Sequence, residues 1–263
     1  LWFVLAVLMA VNLTWVDLDP RLSLSLRSMA NMAGVLAGLL LVLFYRHVRN
    51  AEADRMLDIM TRLLMTALFA AVMTQQVNLF SHLGMTLAFP LADLRLNGWD
   101  QALGFDWNGY VALVAGPRWL RDTLLFFYSQ PIGPALAVIV VVAVVAGRHD
   151  RLEELAFLAF ASGLLSVSVA AMFPALGAWS VIATQQAKEL VGGQPMLLEA
   201  QQLQRLRGSG DIVLDLRSMA GVANFLSYHT CLAIIIMWCS RAHWMASAAG
   251  CVIGIGILAA TPV

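Results

Sequence analysis

A serine, a histidine and a threonine stand directly before a run of apolar residues near the end of the sequence. They are Ser227, His229 and Thr230, and the apolar run occupies residues 231–239. Polar, titratable groups are costly to hold next to lipid, so at the mouth of a membrane-spanning helix they indicate a functional site. A helix that begins at about Leu226 would direct its free backbone N–H groups and its positive dipole end at these side chains. The segment is therefore predicted to bind an anion beside an imidazole that titrates near neutral pH.

The composition indicates a membrane protein and argues against several other classes. Of the 263 residues, 60% are apolar and only 12% are charged, whereas a soluble domain carries about 25% charged residues. The net charge is zero and no basic tract is present, so the expected partner is the lipid bilayer and not nucleic acid. The three cysteines and five histidines show no metal-ligand spacing. Neither a metal nor any other cofactor is therefore expected.

The apolar runs predict an all-α, polytopic transmembrane helix bundle of about six to eight spans. A helix needs about 20 apolar residues to cross the hydrocarbon core. By that criterion, spans are predicted near 1–16, 29–47, 60–80, 131–147, 154–175, 222–240 and 244–261. The stretch 81–130 permits several structures. Its first part suits a helix that lies on the interface, and residues 107–129 could form an interfacial helix, a re-entrant element or a distorted span.

Arginines in the connections predict the orientation of these spans. They occur in the 46–62 connection, in the 147–153 turn and at Arg241, which the positive-inside rule assigns to the cytoplasmic side. The loop 176–221 and the mouth of the helix at Ser227 and His229 then lie on the non-cytoplasmic face. The last predicted span, 244–261, returns to that same face.

The pattern Phe225-x-Ser227-Tyr228-His229-Thr230 resembles the central motif of the type-2 phosphatidic acid phosphatase superfamily. It looks most like the inositolphosphotransferase-like branch, in which a Phe-Pro-Ser-x-His-[Thr/Ala] segment opens a transmembrane helix. Segments 104–107 and 172–177 also resemble recurrent segments of that branch, so the resemblance covers roughly residues 90–263. It implies N-terminal transmembrane helices in residues 1–80 and a phosphatase-like helix bundle in residues 81–263.

The resemblance also implies an activity and a role for each site residue. The expected reaction is hydrolysis or transfer of a lipid-like phosphate ester at the non-cytoplasmic face, through a phosphorylated histidine and without a metal. His229 would be the general acid and base, Ser227 would bind phosphate, and Arg217 is the first candidate for the cation that holds the phosphate. The other candidate cations are Arg205, Arg207, Lys188, Arg118 and Arg121. The nucleophilic histidine of the superfamily's third motif is expected just after Val263, so residues 1–263 alone are expected to lack it.

Two features depart from the superfamily's pattern. Position 226 is leucine where proline is usual, and the first motif, a lysine separated by six residues from an Arg-Pro pair, is absent. Proline suits the first turn of a helix because its φ angle is pre-set and its missing N–H is not needed there. The missing first motif fits the inositolphosphotransferase-like branch better than the classical phosphatases.

A non-catalytic membrane protein is the alternative, either a pseudoenzyme or a transporter-like bundle. A transporter should show paired acids or broken helices at the bilayer midplane, and the segment at Gly116 and Pro117 is the one candidate break. In such a protein Ser227 would be an ordinary helix N-cap and His229 a side chain bonded to the backbone. The histidines at positions 82, 149 and 243 stand beside predicted turns and are expected to be solvated.

Overall fold

The computed structural model describes residues 1–49, 55–191, 194–216, 222, 225–242 and 244–261. Apart from two three-residue strands, the regular secondary structure in these ranges is helical, so the all-α prediction is confirmed. The first half contains α1 (Trp2–Leu18), β1 (Leu22–Leu24), α2 (Leu26–Arg49), α3 (Arg55–Met85), α4 (Asp93–Ala102), α5 (Trp107–Ala115) and α6 (Arg118–Ser129). The second half contains α7 (Ile132–Val145), α8 (His149–Met172), α9 (Ala178–Val181), α10 (Gln185–Val191), α11 (Gln194–Leu206), β2 (Ile212–Leu214), α12 (Tyr228–Cys239), a 3-10 turn (Ser240–Ala242) and α13 (Trp244–Ala260).

Two of the described helices are long and apolar enough to cross a membrane. They are α3, with 31 residues, and α8, with 24. At 1.5 Å per residue their lengths are about 46 and 36 Å, against a hydrocarbon core of about 30 Å. The pair α6 and α7 adds a third candidate if its two helices, which meet at 45°, form one bent span. Proline at position 131 stands at the break, and proline is a usual cause of such a kink.

The prediction of about six to eight spans therefore exceeds what helix length supports in the described residues. The predicted span 222–240 is the clearest difference, because the chain becomes helical only at Tyr228. The resulting α12 has 12 residues and is about 18 Å long. The other apolar helices below the length test are α1, the first part of α2 and α13. In the difficult stretch 81–130, the structure shows the short helix α4, then α5 and α6 on either side of the predicted break at Gly116 and Pro117.

Helices α3 and α8 pack side by side and run in the same direction. The rings of Phe69 and Phe160 meet edge to face near the middle of both helices. Near their ends, a Cβ atom on Gly84 would lie 2.7 Å from the Cβ of Ala171, so this close approach requires glycine. Both helices consequently finish at one end of the bundle, called here the Met85/Met172 end. The predicted boundary after residue 80 falls inside α3 and stays a prediction.

Helices α12 and α13 form an antiparallel pair against α8. Ala233, Ile236 and Ile257 are buried between the two helices. A Cβ on Gly254 would lie 2.6 Å from the Cγ of Met237, so the two backbones approach closely there. The last turn of α13 therefore lies level with the first turn of α12. On the other side of α12, Leu232 and Ile235 pack against Leu155 of α8.

The strands, which the sequence analysis did not predict, close the Met85/Met172 end of the bundle. They form a parallel pair with Leu22 opposite Ile212. Beside them, α11 packs on the end of α3, where Leu79 and Leu83 are buried together with Leu203, Leu206 and Leu214. Three-residue strands are too short for an alternating pattern to distinguish them from loops. The helix α11 therefore covers one side of the end at which α3 and α8 finish.

Candidate active site

The predicted site residues lie at the start of α12. His229 is in its first turn, and Ser227 is its N-cap residue. The helix begins two residues later than the sequence analysis expected. The Ser227 side chain makes no capping hydrogen bond, so its hydroxyl is not used in the way an ordinary N-cap serine uses it. The serine is in the predicted place without performing the usual structural task.

Leu226, which stands where the superfamily usually has proline, adopts a left-handed backbone conformation. Its φ angle is +57°. Left-handed geometry costs a residue with a Cβ atom about 1–2 kcal/mol, because that atom crowds the following carbonyl oxygen. Proline is locked near a φ of about −65° and cannot adopt this conformation. The leucine at position 226 is therefore accompanied by a backbone conformation, just before α12, that the usual proline could not adopt.

The ring of His229 stacks on the ring of Tyr128, which lies in the last turn of α6. The ring centroids are 4.3 Å apart and the planes differ by 16°. His229 is partly buried, and no described residue hydrogen-bonds to its ring nitrogens. The alternative interpretation, a structural histidine bonded to the backbone, is therefore not what the described residues show. Both nitrogens remain able to exchange protons with a ligand.

Three contacts with α8 fix the first turn of α12. The Tyr228 hydroxyl donates a hydrogen bond to the carbonyl oxygen of Ala159 at 3.0 Å, and the Tyr228 ring lies over Gly163. One residue beyond the site, the Sγ of Cys231 lies 3.7 Å from the Oγ of Ser166. The chain just before α12 packs at the end of α8, because the Phe225 ring meets the ring of Phe173, the C-cap residue of α8, edge to face at a centroid distance of 6.3 Å. The start of α12 therefore lies near the Met85/Met172 end of the bundle.

The candidate cations differ in what they contact. Arg217, the first candidate, lies outside the described residues. Arg207 donates through Nη2 to the carbonyl oxygen of Ala88 at 3.4 Å, while its Nη1 is buried without a hydrogen-bond partner among the described residues. The others are exposed or already engaged: Arg205 and Arg118 are exposed, Lys188 lies over the ring of Trp179, and Arg121 pairs with Asp122. Among the described cations, none pairs with Ser227 or His229.

One expectation about the other histidines was wrong. His82 is only 1% exposed, although it was predicted to be solvated. Its Nδ1 lies 2.8 Å from the carbonyl oxygen of Asn78 and its Nε2 lies 2.9 Å from the Nε2 of Gln202. The physical reason is α11, which covers the end of α3 and was treated as part of a linker. His149 is exposed as predicted, and His243 lies outside the described residues.

Two residues near His229 were missed by the sequence analysis. Tyr128 is one, and Glu199 of α11 is the other, because its carboxyl group lies within electrostatic range of the Tyr128 hydroxyl. Partial burial raises the pKa of Glu199 above its usual range by removing water from the charged form. The polar character of the α11 helix was visible in the sequence, but its position over the bundle was not.

No three His, Cys, Asp or Glu side chains in the described part of the chain converge in a way that could hold a metal ion. The expectation that no metal or cofactor is needed stays a prediction.

Comparison with known families identifies the class of this helical protein. The family model of the PAP2 superfamily matches residues 94–263, which include Tyr128, Ser227 and His229. The match covers well over half of the chain, and the chain belongs to the PAP2 superfamily. Membership indicates a phosphatase-type function and agrees with the two helices that are long enough to cross a membrane. No curated protein and no solved structure matches the chain in the same comparisons.

Proposed function

We propose that this protein is a membrane phosphatase or phosphotransferase of the inositolphosphotransferase-like branch, acting on a lipid-like phosphate ester at the non-cytoplasmic face. The observation that carries the proposal is the imidazole of His229, which lies in the first turn of α12 and to which no described residue hydrogen-bonds. That turn also presents backbone N–H groups that have no partner within the helix. A phosphate bound by these N–H groups would therefore lie beside the imidazole of His229, which can transfer a proton.

The reaction we propose proceeds through two displacements at phosphorus. In the first, a nitrogen of a second histidine attacks phosphorus and the ester P–O bond breaks, while protonated His229 gives its proton to the leaving alkoxide. In the second, His229 removes a proton from water or an alcohol, whose oxygen attacks phosphorus as the P–N bond breaks. The Ser227 hydroxyl and the N–H groups of the first turn of α12 hold the phosphate oxygens throughout.

The second histidine belongs to the third motif of the superfamily, which follows the central motif by one helix. Here that helix is α13, whose last turn lies level with His229 because Gly254 and Ile257 pack against Met237 and Ala233. A residue that follows α13 directly would reach the level of the imidazole. In the superfamily's arrangement, the attacking histidine would therefore follow this helix directly.

The phosphate also needs a cation. Arg217 keeps this role as a proposal from its position in the sequence, and Arg207 is the described arginine best suited to share it. A guanidinium N–H buried without a partner is costly, and the Nη1 of Arg207 is in that condition. A phosphate oxygen would satisfy it with a charge-assisted hydrogen bond.

The orientation we propose rests on where the charged side chains lie. Arg151 of α8 and Arg241, which follows α12, both bond to Glu154. This cluster is at the end of the bundle opposite to Met85/Met172. The positive-inside rule assigns it to the cytoplasm and His229 to the other half of the membrane. In this arrangement α3 and α8 span the bilayer, the bent pair α6 and α7 forms another span, and the shorter apolar helices α1, α12 and α13 pack beside these spans in a multi-pass bundle.

The activity can be tested with the full-length protein in lipid nanodiscs. We expect phosphate release from phosphatidic acid, or transfer of a phosphorylated head group from a phospholipid to an alcohol. The His229→Ala variant should lose roughly 10²- to 10⁴-fold in rate, whereas His149→Ala, at the exposed start of α8, should match the wild type. Labelled substrate should leave phosphate on the protein as an acid-labile, base-stable adduct. Equal rates for His229→Ala and the wild type would refute the proposal.

A pseudoenzyme is the second candidate, and the left-handed conformation of Leu226 favours it. Catalytic rates are sensitive to misplacement by about 1 Å, and the backbone of Leu226 differs from what proline allows. Inorganic phosphate that protects α12 from hydrogen exchange, in a protein without turnover on either substrate type, would identify this case.

A further inference from the structure

The ring stack between Tyr128 and His229 joins two helices that are far apart in the sequence. Tyr128 lies in the last turn of α6, just before the break that separates it from α7. Its ring faces the imidazole at a centroid distance of 4.3 Å, nearly parallel to it. The Tyr128 hydroxyl makes no hydrogen bond to any described residue. The side chain therefore acts at this place through its ring and not through its polar group.

No hydrogen bond from a described residue orients the imidazole of His229. Histidines that transfer protons usually have one nitrogen held by a carboxylate or a backbone carbonyl, which fixes the ring plane. That hydrogen bond is not found here among the described residues. A stacked aromatic ring restricts the same plane by a different contact. It also leaves both imidazole nitrogens open to a ligand.

The position of Tyr128 is itself fixed by packing on α13. The preceding residue, Phe127, lies against Gly256, where an added Cβ would be 2.5 Å from the Phe127 ring. One turn earlier, Leu124 is buried against Ala260. Successive residues on a helix point about 100° apart. Phe127 can therefore anchor α6 on α13 while Tyr128 turns toward α12.

We propose that Tyr128 is a positioning residue that holds the imidazole plane of His229 for proton transfer. The inference rests on the proposed function, since it concerns how His229 performs its step. The ring of Tyr128 limits rotation of the imidazole, so that one nitrogen stays directed toward the place where the leaving oxygen is released. Protonation of His229 strengthens the contact, because an aromatic face attracts a cation.

The test uses three variants of the full-length protein in nanodiscs. Tyr128→Phe keeps the ring, Tyr128→Leu removes it, and Phe126→Leu, which changes an exposed ring on the same helix, is the matched control. Histidine labelled with carbon-13 reports the stack directly, because a ring lying over the imidazole shifts its proton resonances upfield. The His229 signal is the one that disappears in His229→Ala. Rates are measured on the same samples.

We expect the upfield shift in the wild type, Tyr128→Phe and Phe126→Leu, and its loss in Tyr128→Leu. In Tyr128→Leu, kcat should fall roughly ten- to a hundredfold while KM stays within about twofold, since geometry is lost and binding is not. Tyr128→Phe should restore the wild-type kcat. A Tyr128→Leu protein that loses the shift but keeps its kcat would overturn the positioning role and leave the proposed function standing. A wild-type protein with the shift but without activity on any phosphate ester would overturn both.

Discussion

The polar side chains at the two ends of α12 differ in their hydrogen bonding. At the far end, Glu154 accepts hydrogen bonds from Arg151, Trp238 and Arg241. At the near end, the Ser227 hydroxyl caps nothing and the His229 ring bonds to no described residue. Both ends lie against the same helix, α8, but at different points along it. The far end is stabilised by the charged cluster, whereas the polar side chains of the near end have no hydrogen-bond partners among the described residues, as the proposed anion site requires.

The largest expected effect on stability comes from introducing at position 226 the proline that is usual in the superfamily. Leu226→Pro places a residue with φ near −65° where the backbone has +57°. We expect a loss of about 2 kcal/mol in the free energy of unfolding, because the chain before α12 must rearrange. Denaturant unfolding in detergent measures it. Leu226→Gly, which accepts a positive φ without strain, is the matched control and should not be destabilised.

A Leu226→Pro protein that keeps its stability and gains phosphatase activity would show that the working site has a different backbone at this residue. The left-handed conformation of Leu226 would then no longer distinguish the near end of α12 from its far end.

A smaller effect is expected at the far end. Glu154→Gln removes the charge that three donors share, and we expect a loss of about 1 kcal/mol in stability. Phosphatase activity should not change, because the cluster lies at the opposite end of α12. Glu153→Gln, an exposed neighbour on α8, is the control for thermal unfolding. Should Glu154→Gln abolish activity at unchanged stability, the two ends would not be independent.

The smallest effect concerns Glu199 of α11, whose carboxyl group lies within electrostatic range of the Tyr128 hydroxyl. Burial raises its pKa in the folded protein above the model-compound value of 4.5, so the folded state holds this proton more tightly than the unfolded state does. Its contribution is therefore fully present below about pH 4.5 and is lost as the pH rises through the folded pKa. Thermal unfolding as a function of pH should show this decline in the wild type and less of it in Glu199→Gln. An equal pH dependence in both proteins would mean that the Glu199 carboxyl is solvated.

The sequence predicted what depends on local pattern. Apolar runs located α3, α8 and α13, and the residue types around His229 identified the superfamily that the family comparison then confirmed. Position within the fold was harder to predict. The start of α12 came two residues later than expected, because a left-handed residue interrupts the chain at Leu226. That conformation has no sequence signal when the residue is leucine.

Contacts between distant segments could not be predicted from one sequence. Tyr128 stacks on His229 while the neighbouring Phe127 packs against Gly256. Neither Tyr128 nor Gly256 belongs to a sequence motif that would have indicated these contacts. His82 was expected to be solvated because it stands beside a predicted turn, yet Gln202 of α11 covers it. The paired strands β1 and β2 join the beginning of the chain to a segment close to the site. Each of these contacts depends on packing that hydrophobic periodicity does not encode.

The position of the start of α12, beside the end of α8, has a kinetic consequence. In the proposed reaction the phosphate meets His229 near the end of two helices that are long enough to span the bilayer, so a lipid ester would reach it by lateral diffusion within the membrane. The encounter then occurs in two dimensions. The rate should follow the mole fraction of substrate in the membrane and fall when neutral lipid dilutes it, even at a constant bulk concentration.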